Sequence, residues 1–377
     1  MSASDARPSL RGVRRLVVKV GSALLTHPQS GLAVDKINNY CTQINALKAE
    51  GIEVVLVSSG AVAAGCQKLG WHQRPEALHE LQAAAAVGQM GLAQAYESAM
   101  SVHGCDTAMI VLTHDDLADR ERYLNARATL RQLLALGVLP VINENDTVAT
   151  DEIRFGDNDT LAALVTNLLA ADALIILTDV AGMMDRDPRE YEDARRISHA
   201  RADDETLDRV ATAGAGALGR GGMLTKLRAA RLAARSGAHT VIASGHERDI
   251  LRRVLDDVDV GSLLRAELNV MTARKRWIAG QLRAKGDVII DAGAARAIRE
   301  AGVSLLAVGV TGLSGRFARG DTVRMIDGTG QLIAQGLTNY GSEDIAKIIG
   351  VRSEEFAQHL EYVAEPELIH RDNLVVI

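Results

Sequence analysis

The residues best suited to chemistry in this sequence are charged and polar side chains placed where apolar runs end. Lys19 stands inside Val17-Val18-Lys19-Val20 and is followed by Gly21-Ser22. An ammonium in such a run must either snorkel to solvent at a sheet edge or meet an anion. The adjacent glycine lets a phosphate approach the backbone, which favours the second reading. A second lysine, Lys226, ends the glycine-rich stretch Gly214-Ala215-Gly216-Ala217-Leu218-Gly219-Arg220-Gly221-Gly222-Met223-Leu224-Thr225. Gly214, Gly216 and Gly219 spell Gly-x-Gly-x-x-Gly, but no strand precedes them, so the stretch is not a dinucleotide fingerprint. No Gly-x-x-x-x-Gly-Lys-Ser/Thr occurs either. What remains is a loop whose amides, with the lysine at a helix start, form a cradle for polyphosphate.

Other segments add polar groups. Gly156-Asp157-Asn158-Asp159 opens a helical pattern. One of its polar residues can serve as N-cap, but three in a row exceed what capping requires, and a helix start suits an anion. Ser58-Ser59-Gly60, Asn143-Glu144-Asn145-Asp146 and Thr178-Asp179 each end an apolar run. Singly, each reads as a turn or cap. Their recurrence at equivalent ends of successive runs points to one site. His-Glu-x-x-His and Gly-x-Ser-x-Gly are both missing, which removes the common zinc protease and serine hydrolase patterns. The ten histidines are scattered and read as structural or solvated.

The elements that position these groups follow from hydrophobic periodicity. Leu16–Val20, Glu53–Val57, Thr107–Leu112, Val138–Ile142, Ala173–Thr178 and His239–Ala243 are short, aliphatic and continuous, and are predicted to be strands buried on both faces. Val34, Ile37, Cys41, Ile44 and Leu47 recur at helical spacing, as do apolar residues in Arg122–Leu136, Thr160–Ala171 and Thr225–Ser236. Strands alternating with helices predict a mostly parallel sheet between helix layers, with ligands beyond the carboxyl ends of the strands. Near Val270 the character changes. After Arg274-Lys275-Arg276 come short strand-like runs at Asp287–Ile290, Leu305–Val308, Thr322–Ile326 and Gln331–Leu337, punctuated by glycines. A small β-rich domain is expected there, with the boundary between about 268 and 283 on this change of pattern.

Of 377 residues, 47% are hydrophobic and only 3% aromatic, so the core must be aliphatic and alanine-rich. A net charge of −6 argues against general affinity for nucleic acid or anionic membrane. Three scattered cysteines, Cys41, Cys66 and Cys105, argue against a disulfide framework or a structural zinc site. Met1–Arg15 lacks the apolar stretch of a signal peptide, and no run of about 18 apolar residues could span a membrane. The expected compartment is the cytoplasm.

Taken in order, Val17–Ser22, Ser59–Gly65, Asp119–Arg127, Pro140–Asp146, Gly156–Asp159 and Gly221–Lys226 resemble the amino-acid kinase family, over nearly the whole chain. The part after the boundary resembles a PUA domain. The resemblance implies an α/β fold, a three-layer αβα sandwich on a mostly parallel sheet over residues 1–268, with the PUA domain at 283–361. It implies ATP-dependent phosphorylation of the side-chain carboxylate of L-glutamate to L-glutamyl 5-phosphate, the first step toward proline. Lys19, Asp159 and Lys226 are then catalytic, with Asp159 orienting the two lysines. Ser59, Asp146 and Asn158 hold glutamate, with Asp146 facing its α-ammonium. Lys19, Thr178, Asp179, Arg220, Gly221, Gly222, Met223, Leu224, Thr225 and Lys226 line the nucleotide site. Mg²⁺ accompanies ATP, proline acts as feedback inhibitor, and homo-oligomers are common among such kinases; no metal ligand is assigned. Aspartate, acetylglutamate, carbamate or a nucleotide as acceptor is the nearest alternative. RNA binding through the PUA domain is another, although Asp287, Asp291, Asp321, Asp327, Glu343 and Asp344 roughly match the bases there and argue against it.

Overall fold

The computed structural model describes residues 7–27, 31–148, 158–187, 190–213, 222–267 and 284–377. The chain divides into two units, Met1–Leu117 with Arg127–Val270, and Ala118–Ala126 with Met271–Ile377.

The strands of the first unit are β1 (Arg15–Val20), β2 (Thr26–His27), β3 (Gly31–Leu32), β4 (Glu53–Val57), β5 (Thr107–Leu112), β6 (Leu139–Glu144), β7 (Ala173–Thr178), β8 (His199–Arg201), β9 (His239–Ser244) and β10 (Ser262–Arg265). β2 and β3 form a small hairpin. The other eight make one sheet in the order β5-β6-β4-β1-β7-β9-β10-β8, parallel at every junction except β9 with β10. The order reverses direction around β1, and such switch points open a crevice at the strand ends. β8 and β10 are too short and too polar at their ends to stand out as apolar runs, so the sequence does not signal them.

The helices are α1 (Ser22–Leu25), α2 (Val34–Ala49), α3 (Ala61–Lys68), α4 (Leu78–Ser101), α5 (His114–Ala118), α6 (Arg120–Ala135), α7 (Asp159–Leu169), α8 (Thr206–Ala213), α9 (Met223–Ala234) and α10 (Ile250–Leu255). Successive strand residues point to opposite faces. Leu16, Val18 and Val20 of β1 therefore join one core with Ile37 and Ile44 of α2, Leu92 and Tyr96 of α4, and Ile250 of α10. Lys19 lies on the opposite face, where α7 packs against β1, β7 and α9. Helices thus cover both faces, which explains why β1, β4 and β7 are apolar throughout rather than alternating.

The approach of α3 to α4 depends on two glycines. A Cβ on Gly65 would fall 1.7 Å from the Ala84 carbonyl oxygen, and one on Gly88 would fall 1.9 Å from that of Ala61. Only glycine allows the two backbones this close. The contact sets the start of α3, and with it Ser59 and Gly60.

The second unit carries β11 (Gly286–Ile290), β12 (Val310–Gly315), β13 (Thr322–Asp327), β14 (Leu332–Leu337) and β15 (Leu374–Val376), with α11 (Ala292–Ala301) and α12 (Ser342–Ile348). Its sheet runs β12-β11-β13-β14-β15, with only β11 and β13 parallel. Val288, Ile298, Val323, Met325, Ile333, Tyr340 and Phe356 are in its core. The strand expected over Leu305–Val308 is not formed. Leu305 makes a single bridge to Ile369, and a 3₁₀ turn follows at Ala307–Gly309. A Cβ at Gly309 would meet that of Ala294 at 2.6 Å, so the chain turns where it meets α11, and the strand begins only at Val310.

Candidate active site

The three ionised groups singled out in the sequence meet beyond the ends of the central strands. Lys19 Nζ lies 2.5 Å from Asp159 Oδ1, and Lys226 Nζ lies 3.0 Å from Asp159 Oδ2. Lys19 comes from β1, Asp159 opens α7, and Lys226 stands in the first turn of α9. Relative exposures are 4% for Lys19, 5% for Lys226 and 0% for Asp159. Burying two ammonium groups is costly, and one carboxylate with an oxygen for each is the least that holds them. The Thr225 hydroxyl shares its one proton between the Gly222 carbonyl at 2.7 Å and the same Oδ2 at 3.2 Å, which ties the start of α9 to that of α7. Gly21 donates its N–H to the Leu177 carbonyl at 3.1 Å. A Cβ there would sit 4.0 Å from Lys19 Nζ, so glycine keeps the space beside the ammonium open. Two converging ammonium groups and two helix starts can bind and polarise a phosphoryl group.

A second cluster lies at the ends of β4 and β6. Asn158 directs Nδ2 to the Ser58 carbonyl, and also to Asn143 Oδ1 at 2.7 Å. Asn143 Nδ2 in turn donates to Gln89 Oε1 on α4 at 2.7 Å. Ser58 Oγ shares a 2.9 Å hydrogen bond with the Tyr96 hydroxyl, and both residues are fully buried. Burial pushes the Tyr96 phenol upward, so it stays neutral in this role. Gly60, with φ of +101°, turns the chain from β4 into α3. The Ser59 hydroxyl is buried without a hydrogen-bond partner among the described residues. Asp146 sits half-buried in the turn that follows β6.

Thr178 and Asp179 follow at the end of β7, next to β1. Thr178 is buried and donates its hydroxyl to Asp179 Oδ1 at 3.0 Å; Asp179 is exposed. Gly222, Met223 and Leu224 are half-buried at the start of α9. Arg220 and Gly221 lie outside the described residues, as do Gly156 and Asp157. The fold therefore joins Lys19, Asp159, Thr225 and Lys226 directly, and Asn158 to the strand end bearing Ser59. Asn143 as a link, Gln89 and Tyr96 are what sequence reasoning misses. A signal does exist for Gln89: it is a polar residue at helical spacing from the buried Ala85 and Leu92.

The donor set favours anions over a bare cation. Asp159 already serves two lysines, and among the described residues no three His, Cys, Asp or Glu side chains group as metal ligands. Burial pushes the Cys41 thiol up to about 12 and raises that of Cys66, which leaves both as neutral packing groups.

A model of the amino acid kinase family matches residues 14–244, and one of the PUA domain matches residues 286–360. The chain belongs to the amino acid kinase family. Two full-length relatives narrow this class. The chain is 58% identical over 376 residues to the glutamate 5-kinase of Chromohalobacter salexigens, covering 100% of this chain and 99% of that protein. It is 57% identical over 374 residues to the glutamate 5-kinase of Thioalkalivibrio sulfidiphilus, covering 99% and 100%. Carbamate kinase from Giardia lamblia, in a structure bound to AMP-PNP, shares the fold at TM-score 0.50 and 18% identity, over 68% of this chain and 100% of that one. Membership at this identity makes the protein a phosphotransferase.

Proposed function

We infer that the protein transfers the γ-phosphoryl group of ATP to the side-chain carboxylate of L-glutamate, giving L-glutamyl 5-phosphate and ADP at the entry to proline biosynthesis. The observation that carries this reading is the pair of buried lysines on the two oxygens of Asp159. Glutamate arrives ionised, since its side chain has an ordinary pKa of about 4.3, so no general base is needed. One carboxylate oxygen attacks the γ-phosphorus, the bond to the bridging oxygen breaks, and ADP leaves with that electron pair. The obstacle is bringing one anion up to another. Lys19 and Lys226 neutralise the phosphoryl oxygens, while Asp159 holds both ammonium groups in place before the substrate arrives. Alignment of the attacking oxygen falls to Ser59, Asp146 and Asn158. Mg²⁺, held by the triphosphate's own oxygens, would supply further charge neutralisation there, which suits a site whose own buried carboxylate is engaged by lysines.

The nucleotide lies along Thr178, Asp179 and the stretch from Arg220 to Lys226. Proline, the product of the route, inhibits at or over the glutamate site. The catalytic domain spans 1–268 and the PUA domain 283–361, and the enzyme works as a homo-oligomer in the cytoplasm. No helix among the described residues is long and apolar enough to cross a membrane.

The test is ATP consumption with Mg²⁺ in the presence of hydroxylamine, which traps an acyl phosphate as the hydroxamate. Glutamate, aspartate and acetylglutamate are compared side by side. Hydroxamate from glutamate alone is the expected result. Turnover only with another acid would overturn the substrate, and none with any would overturn the reaction.

A further inference from the structure

The Ser58 carbonyl can only accept a hydrogen bond, and it dictates the orientation of three carboxamides. Asn158 must face it with Nδ2, because the amide oxygen there would oppose another oxygen. The second hydrogen of that nitrogen goes to Asn143 Oδ1, so Asn143 must present Nδ2 to Gln89 Oε1. No carboxamide in this chain can be turned over without placing two acceptors or two donors together. Two consequences follow. Both hydrogens of Asn158 are spent inside the protein, which leaves it only Oδ1 to offer a ligand, an acceptor suited to an ammonium group. At the other end, Gln89 Nε2 is buried with no hydrogen-bond partner among the described residues. A buried N–H pair left unsatisfied is destabilising unless a ligand supplies the acceptor.

We propose that Gln89 is a specificity-determining residue of the acceptor site: its Oε1 ends the carboxamide chain, and its Nε2 donates to the α-carboxylate of glutamate. The inference rests on the reading of this pocket as the glutamate site. Position selects which carboxylate it is. The reacting carboxylate must lie at the lysine pair beside β1, and β6, which carries Asn143, is two strands away, about 10 Å in a sheet. A donor hung on Asn143 therefore meets the far end of the substrate. The Ser59 hydroxyl, buried and likewise without a partner among the described residues, stands at the end of β4 between them. Acceptors for the α-ammonium at Asn158 and Asp146, and donors for the α-carboxylate at Gln89 and Ser59, together describe an α-amino acid rather than a simple carboxylate.

Steady-state kinetics of the full chain with two acceptors provide the test: L-glutamate and its α-amide, which replaces the α-carboxylate by a neutral carboxamide. Gln89→Glu keeps the acceptor for Asn143 but sets a carboxylate against the substrate's own. The glutamate KM is expected to rise on the order of 10²-fold, with kcat and the ATP KM within about twofold. The α-amide, which can donate to the new carboxylate, is expected to hold or improve, so the preference for glutamate collapses. Gln89→Met keeps the volume without polarity and guards against a folding defect; its glutamate KM is expected to rise about tenfold, with a smaller loss for the α-amide. An equal loss for both acceptors in both variants would reduce Gln89 to a packing residue and overturn the proposal, as would an unchanged glutamate KM. Ser59→Ala and Asp146→Ala, run alongside, separate the two levels. If they too leave the glutamate KM unchanged, the acceptor site itself lies elsewhere and the proposal falls with it. If they raise it while Gln89→Glu does not, only Gln89 is excluded.

Discussion

At the scale of single residues, the site turns on electrostatics that burial makes strong. Asp159 is bonded to both lysines, and all three are almost wholly shielded from water. Asp159→Asn should lower kcat on the order of 10²–10³-fold, comparable to losing a preorganised donor at a reacting centre. It should also destabilise the fold by about 3–5 kcal/mol, because two buried ammonium groups lose a counter-charge they share. Turnover and chemical denaturation measured on one preparation check both effects. Lys226→Ala should lower kcat by a similar 10²–10³-fold while the glutamate KM moves by less than about threefold, as follows from the proposed role of the lysine at the phosphoryl oxygens. An unaltered kcat would remove Lys226 from the reaction.

At the scale of elements, helices α3 and α4 show packing overriding propensity. Alanine is the better helix former by roughly 0.5–1 kcal/mol, so Gly88→Ala would stabilise an isolated helix. In the fold the added methyl would lie 1.9 Å from the Ala61 carbonyl oxygen and 2.5 Å from the Gly65 nitrogen, both backbone atoms that cannot step aside. The helices must separate, and overpacking of this kind costs about 1–3 kcal/mol or more. The net prediction is destabilisation, read as a lower denaturation midpoint. Because α3 begins directly after Ser59-Gly60, the glutamate KM should rise while the ATP KM holds. A stabilised variant would show that the helices part freely.

At the scale of the whole molecule, stability near neutral pH is linked to His239 at the start of β9. Its Nδ1 accepts a hydrogen bond from the Ala266 N–H at 3.1 Å, which ties β9 to the end of β10. Burial, reinforced by Arg265, holds the imidazole below its ordinary value of 6.5. Below 6.5 the unfolded chain takes up a proton that the folded chain resists, so stability falls as pH drops through this window and levels off above it. The slope from this one group cannot exceed about 1.4 kcal/mol per pH unit. His239→Asn, which keeps an acceptor but no titrating group, should flatten that part of the profile when unfolding is followed from pH 8 to 5. Parallel profiles for the two proteins would exclude the linkage.

Local chemistry and periodicity already determine a good deal of this protein. Continuous Val, Ile and Leu runs of five or six residues read as strands, so the α/β class and the order of the main elements are legible from the sequence; the expected burial on both faces fails for β5, which lies at the sheet edge with Val111 exposed. A lysine within such a run, and glycine-rich or Asn/Asp-rich breaks after others, also mark where strands end and an anion can enter. Other features depend on residues far apart in the chain. The edge strands β8 and β10 are too short to carry a pattern of their own and exist through pairing alone. The strand after α11 starts late because two backbones approach at Gly309. Asp159 lies 67 positions from Lys226 and 140 from Lys19, and only the fold decides that both lysines reach its two oxygens. Gln89 is the sharpest instance. Its sequence neighbours are valine, glycine and methionine, and its role emerges only when the Ser58 carbonyl, through Asn158 and Asn143, dictates which way its carboxamide must face. Hydrophobic pattern specifies elements because burial is a property of each segment, whereas the pairing of polar groups is a property of the sites where segments meet.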